Sequence, residues 1–301
     1  MFERRDHLDA LAIGLMLILC FSWAFAQITI KIANESISPI LQAGIRSIIA
    51  VSALSIWMLV RKIRPFQNDG TWIPGVIAGV LFAMEFVLIF WGLVYTSASR
   101  AVIFIYLSPF VVALGVHWLV PSERLNRFQV IGMLLAFSGI VVTFGEGFTL
   151  LKGQEWIGDL MCIVAAISWG ATTVVIRVTK LVSIEPSRTL YYQLLVSAIL
   201  LPPVSLLLGE SGVREISGIV IASLAFQGLI VAFASYLTWF WLIAHYPAAK
   251  LSTYTFFTPL FGVLCGVVFL SEPLTAGVVI GLLLVTLGIL LVNRKVNQAA
   301  S

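Results

Sequence analysis

"FWGLVYTSASR" occupies Phe90–Arg100, and "FWLIAHYPAAK" occupies Phe240–Lys250, a shift of 150 residues. Pro109 and Pro259 keep the same shift. A 301-residue chain that writes one segment again half its length later is built from two copies of one unit.

The unit is apolar. Residues are 60% hydrophobic and 11% charged, and the mean hydropathy is +1.05. A soluble domain carries roughly a quarter charged residues. Apolar runs of about twenty residues recur from end to end, each long enough to cross a hydrocarbon core. The composition therefore predicts an all-α polytopic membrane protein and leaves little chain for a soluble domain. The net charge of +4 does not point to nucleic acid, because the cations fall mostly in short loops between the runs. Cys20, Cys162 and Cys265 all lie inside apolar runs and read as small buried residues, with no metal-ligand spacing and no disulfide framework.

Bounded by charges, Pro and Gly, the runs predict ten helices at 8–33, 38–61, 72–95, 99–120, 126–145, 156–180, 187–209, 215–245, 248–270 and 274–293. The eighth run is long enough to include a loop. The start, "MFERRDH" before an apolar run and "AFAQ", has the outline of a signal peptide with small residues at Ala24 and Ala26. It reads instead as an uncleaved first span, because Ser22-Trp23 recurs as Ser168-Trp169 in a run that cannot be a signal. Of the 18 Lys and Arg, Lys31, Arg46, Arg100, Lys152 and Arg214 fall outside or within spans when the N-terminus is cytoplasmic, and the rest fall inside, 13 against 5. That asymmetry predicts both termini in the cytoplasm. Five spans per copy is an odd number, so the second copy, 148–301, enters the bilayer upside down relative to the first, 1–147. Ten transmembrane helices as two inverted five-helix repeats is a construction of secondary transporters, with a site near the midplane that opens to alternate sides.

"PSERLNRFQVIGMLLAFSGIVV" closes the first copy, "LSEPLTAGVVIGLLLVTLGILLV" closes the second, and "QAGIRSIIAV" opens helix 2. With ten spans, Ser-Glu turns before helices 5 and 10 and Gly-rich tails on those helices, the chain resembles the EamA-type members of the drug/metabolite transporter superfamily over nearly its whole length. It departs at Pro273, where a basic residue is common. The resemblance implies export of small metabolites, often amino acids, across a bacterial inner membrane by a secondary mechanism. An exchanger or importer of larger metabolites such as nucleosides or sugar derivatives is the alternative within transport, and a membrane scaffold or sensor the alternative outside it.

Glu85 is the only carboxylate deep within a predicted span, roughly 15 Å from the outer end of helix 3 at 1.5 Å per residue. Arg46 lies at roughly 12 Å in helix 2 on the same rise. Charges there must be paired, neutralised or in a wet cavity. They read either as a fixed strut or as a proton or substrate site. Trp23, Gln27, Lys31 and Asn34 share one face of helix 1, and Trp169, Thr173, Arg177 and Lys180 repeat it on helix 6 at a shift of 146. Lys31, Arg177 and Lys180 read as snorkelling, while Trp23, Gln27, Trp169 and Thr173 are candidates for the cavity. Tyr106, Tyr236 and Tyr254 join them as aromatic lining suited to a zwitterion with an apolar side chain. Tyr95 and Tyr246, near span ends, read as interfacial belt residues. Pro109 and Pro259 predict paired kinks, static or gating. His117 and His245 read as structural. The small-residue steps Gly75/Gly79, Gly262/Gly266 and Gly277/Gly281 read as packing within a monomer rather than a dimer seam. No nucleophile triad, phosphate loop, metal cluster or redox motif appears, so the expectation is no enzyme, no cofactor and no metal, with the bilayer, a small solute and protons as partners.

Overall fold

The computed structural model describes residues 8–120, 127–149, 153–246, 251, 254–255 and 257–292. Ten membrane helices run through them. The first three are α1 (Ala10–Asn34), α2 (Pro39–Val60) and α3 (Trp72–Tyr95). Next come α4, in halves Ala98–Ile105 and Ser108–Leu119, and α5 (Arg127–Thr149). The second copy holds α6 (Glu155–Val178), α7 (Pro186–Leu207), α8 (Gly218–Ala225, Phe226–Ser235 and Tyr236–His245 end to end), α9 (Phe257–Leu270) and α10 (Ala276–Val292). Local chemistry sets the starts. The Asp9 carboxylate accepts from Ala12 N at 2.9 Å and caps α1. Pro39 and Pro186 open α2 and α7, where a missing N–H costs nothing.

Seven of these helices are long and apolar enough to span a bilayer by themselves, with window hydropathies between 1.7 and 2.3. Their outward faces are apolar as well: Leu59 is 76% exposed and Leu207 is 85%. Such a surface is stable only against lipid.

The packing repeats itself when each helix is exchanged for the one five places on. Helix α1 lies on α9 as α6 lies on α4, and α8 lies on α1 and α2 as α3 lies on α6 and α7. The pairs α2/α7, α4/α9 and α5/α10 meet across the axis of that exchange. In each pair the two helices run antiparallel. Gly139 faces the Gly281 carbonyl while Gly132 faces Gly288, and Thr143 Oγ1 stands 3.3 Å from Gly277 O. Likewise Val102 abuts Gly262 and Ser99 abuts Gly266. Equivalent helices crossing head to tail are what inversion of the second repeat requires.

Two elements differ from expectation. Helix 4 is not one kinked helix, because it breaks at Tyr106-Leu107, where Leu107 N turns back to Phe104 O at 3.0 Å. Pro109 has no N–H to offer the Ile105 carbonyl, so the ladder stops, and Pro109 sits in the first turn of the new half. The eighth run holds no loop inside its helix. The loop precedes it and is stitched to the α1–α2 turn by Ser38 N to Gly212 O (2.9 Å) and an Ile37–Val213 bridge. The helix itself contains a ten-residue π-helical stretch, Phe226–Ser235. The equivalent residues of α3 are ordinary α-helix.

At the end of the molecule carrying Arg188, the α2–α3 loop is pinned by Asp69. Its carboxylate accepts from the Thr71 hydroxyl at 2.5 Å and from Arg188 Nη2 at 2.8 Å. Those two contacts hold its pKa down at about 2, from 3.8. The anchor therefore stabilises the fold above the unfolded value near 3.8 and is lost only as pH falls toward 2.

Candidate functional site

Arg46 on α2 and Glu85 on α3 are 2% and 3% exposed, inside the spans. They lie close to one another but form no ion pair. The guanidinium instead lies over the Phe86 ring, its Cζ 3.6 Å from the centroid, with Phe90 at 5.8 Å. A desolvated contact of this kind is worth about 2 kcal/mol. Nη1 and Nη2 of Arg46 and Oε2 of Glu85 have no hydrogen-bond partner. No ion pair joins them: two buried ionisable side chains on neighbouring spans keep bonding capacity unspent.

One turn before Arg46, Gln42 Nε2 donates to Gln227 Oε1 on the π-helical stretch of α8 at 3.2 Å. Oε1 of Gln42 and Nε2 of Gln227 are also without a partner. Gly228 permits this approach, since a Cβ there would fall 2.6 Å from Ile49 Cγ2 and 3.2 Å from the Arg46 carbonyl. Tyr236, next along α8, comes near both Glu85 and Arg46 and packs on the edge of Phe82 at 6.5 Å. Neither glutamine was singled out from sequence, although each is a lone amide in an apolar run.

The remaining candidates gather in two adjoining groups. Trp23 Nε1 donates to Ser235 Oγ at 2.9 Å and meets Trp239 edge to face at 6.0 Å. Tyr254 joins that cluster through its carbonyl, 3.4 Å from Cys20 Sγ. Tyr106, at the α4 break, meets Trp169 edge to face at 6.2 Å and lies near Cys20, Thr258 and Tyr236. Gln27 Oε1 is buried without a partner. Thr173 is spent on its own helix, donating to Trp169 O at 3.2 Å. Under the 150-residue shift Glu85 corresponds to Ser235, the acceptor of Trp23. The repeats are alike in fold and unlike in charge at this depth.

Pro109 and Pro259 stand beside this region, at the start of the second half of α4 and in the first turn of α9. Replacing both with alanine restores two N–H groups and favours continuous helices. The expected result is slower transport with nearly unchanged substrate affinity and melting temperature, read from initial rates and thermal unfolding. Parent rates would make both prolines packing features.

Two further polar sets sit near opposite ends of the bundle. At the first, Thr96 Oγ1 donates to Asp159 Oδ1 at 2.6 Å and Arg100 Nε donates to the same oxygen at 3.2 Å, with Arg100 Nη2 on Oδ2. Arg100 and Asp159 are 2% and 0% exposed. Lys31 does not simply snorkel: its ammonium donates to Thr96 O at 2.6 Å. The Ser-Glu turn finds its purpose here. Glu272, from the second repeat, accepts from Ala98 N (2.7 Å), Ser99 N (2.9 Å) and Ser99 Oγ (2.6 Å), so it caps α4 of the first. Its counterpart Glu123 lies outside the described residues. At the other end Tyr246 is no belt residue. It is 1% exposed, and its hydroxyl lies 3.0 and 2.9 Å from the two Asp9 carboxylate oxygens.

Comparison with known proteins agrees with this architecture. A solved crystal structure superposes with a TM-score of 0.67 at 19% identity, covering 95% of this chain and 98% of its own. "Uncharacterized transporter YvbV" of Bacillus subtilis is 30% identical over 289 residues, 93% of this chain and 91% of that protein. A "Probable amino-acid metabolite efflux pump" of Salmonella typhimurium is 26% identical, covering 91% and 92%. The model of the EamA-like transporter family matches residues 10–145 and again 156–294. With both repeats matched, this multi-pass membrane protein belongs to the EamA-like transporter family.

Proposed function

We propose that the protein is a secondary exporter of small metabolites, amino acids or close relatives, working by alternating access in a bacterial plasma membrane. Residues 1–147 and 148–301 are the two repeats that move against each other. The Arg188 end and both termini face the cytoplasm, the unit is a monomer, and protons are the coupling ion, with Glu85 as carrier. The observation that carries this reading is the unpaired couple Arg46 and Glu85, buried in adjacent spans with Nη1, Nη2 and Oε2 unbonded. A guanidinium offers a carboxylate two parallel hydrogen bonds, and a carboxylate receives an ammonium. A zwitterion supplies both in one molecule. The aromatic rings of Phe86, Phe90 and Tyr236 suit an apolar side chain. A phosphate ester would call for clustered cations and leave Glu85 opposed. The name of the Salmonella relative adds support.

The test is counterflow in proteoliposomes with free amino acids, the matching decarboxylated amines, N-acetylated amino acids and nucleosides. Free amino acids are expected to exchange, and loss of either charged group to end exchange. Counterflow driven by nucleosides alone would overturn the reading.

A further inference from the structure

The repeat that opens the sequence places Thr96 and Tyr246 at the same position, each directly following its helix, α3 and α8. The two side chains do the same thing. Thr96 donates to Asp159 in the second turn of α6, at 2.6 Å. Tyr246 donates to Asp9 at the N-cap of α1, at 2.9 and 3.0 Å. Each contact crosses from one repeat to the other, in opposite directions, and α6 and α1 are equivalent helices. Inversion puts the two contacts at opposite ends of the bundle. The longer tyrosine reaches a carboxylate at the helix start, and the shorter threonine meets one a turn further in. Sequence separations of 63 and 237 residues make both contacts tertiary.

We infer that these hydroxyl–aspartate contacts are a matched pair of latches, Thr96–Asp159 closing one end of the transporter and Tyr246–Asp9 the other, and that one must release for its end to open. The inference rests on the alternating-access reading proposed above. A carrier that alternates needs its two open states close in free energy, and two copies of one contact at opposite ends provide that balance. Weakening one latch favours the state in which its own end is open. The population comes from the other states, so the opposite end becomes more tightly closed. Arg100 reinforces the first latch through the same aspartate. Its counterpart in the repeat, Lys250, lies outside the described residues.

Thr96→Val and Tyr246→Phe each remove one hydroxyl and little else, and leave the Arg100–Asp159 pair intact. Hydrogen–deuterium exchange of the full chain in nanodiscs reads both ends at once. Amides 97–100, capped by Ser97 and Glu272, report one end, and amides 10–13 report the other. For Thr96→Val, exchange is expected to rise by about tenfold at 97–100, the worth of a hydrogen bond to a charged group, and to fall at 10–13. Tyr246→Phe should give the mirror result. The reciprocal fall decides between the two roles, since a merely structural hydrogen bond raises exchange at its own end and does nothing at the opposite end of the bundle. Local rises without reciprocal protection, or no change at either end, would overturn the latches. Parent counterflow is measured in parallel. A parent that moves no solute, with variants that still show the reciprocal change, retires the transport reading and leaves the latches standing.

Discussion

Gly288→Val is expected to cost about 3 kcal/mol or more, enough to remove most folded protein from the membrane. A Cβ at Gly288 would fall 2.5 Å from the Gly132 carbonyl oxygen, 2.8 Å from Ala136 Cβ and 3.0 Å from Ala136 N. Backbone and a short methyl offer nothing that can swing aside. Overpacking usually costs about 1–3 kcal/mol when side chains can adjust, so this position belongs at the upper end or beyond it. The site also lies where α5 and α10 cross on the pseudo-two-fold axis, so the strain is shared by both repeats. Thermal unfolding and size-exclusion in detergent measure it. Leu283→Val on the lipid-facing side of α10, where Leu283 is 55% exposed, is the control and should change stability by no more than about 0.5 kcal/mol. A Gly288→Val protein melting with the parent would mean that the helices do not meet this closely.

Glu85→Gln should fold and lose pH-driven transport down to the level of empty vesicles, while solute exchange survives at lowered affinity, the amide oxygen still accepting from the solute's ammonium. Glutamine keeps the shape of the side chain but cannot cycle a proton. Because Glu85 is not bonded to Arg46, the substitution strands no partner, and a loss of uphill transport reports coupling rather than damage. Arg46→Ala should be hurt more broadly, since the guanidinium stacked 3.6 Å above Phe86 goes with it. Uptake into inside-out vesicles with and without a pH gradient separates the outcomes. Uphill transport by Glu85→Gln at the parent rate would remove Glu85 from the coupling role.

Ten helices and their inversion could be read from the sequence because the signals are one-dimensional: apolar runs of span length, repeated strings, and cations on alternate loops. The break in α4 was foreshadowed by Pro109, although a proline at a fresh helix start and a proline in a kink look the same on paper. The π-helical stretch of α8 was not foreshadowed at all. It changes which carbonyl each N–H meets and leaves the apolar pattern intact. Lone charges such as Arg46 and Glu85 announce themselves in a greasy run. Whether they bond to each other depends on rotamers and on Phe86, which no spacing reveals. Tyr246 differs from a belt residue for a related reason. Position along a span gives depth but not facing, and its partner Asp9 is 237 residues away.

The cap on α4 has a consequence for how the protein is made. Glu272 follows Ser99 by 173 residues. At about 5–20 residues per second the ribosome takes roughly 9–35 s to cover that stretch. During that interval α4 has the Ser97 cap on Arg100 N, while Ala98 N and Ser99 N are without the Glu272 acceptor. Arg100 also waits for Asp159, 59 residues further on. The first half is thus an insertion intermediate with exposed amide donors and a guanidinium at its rim, completed only when the second half arrives inverted beside it. Insertases and quality-control proteases that recognise polar groups within the membrane would meet this half-built species on every round of synthesis. Its lifetime is set by translation speed between α4 and the second Ser-Glu turn.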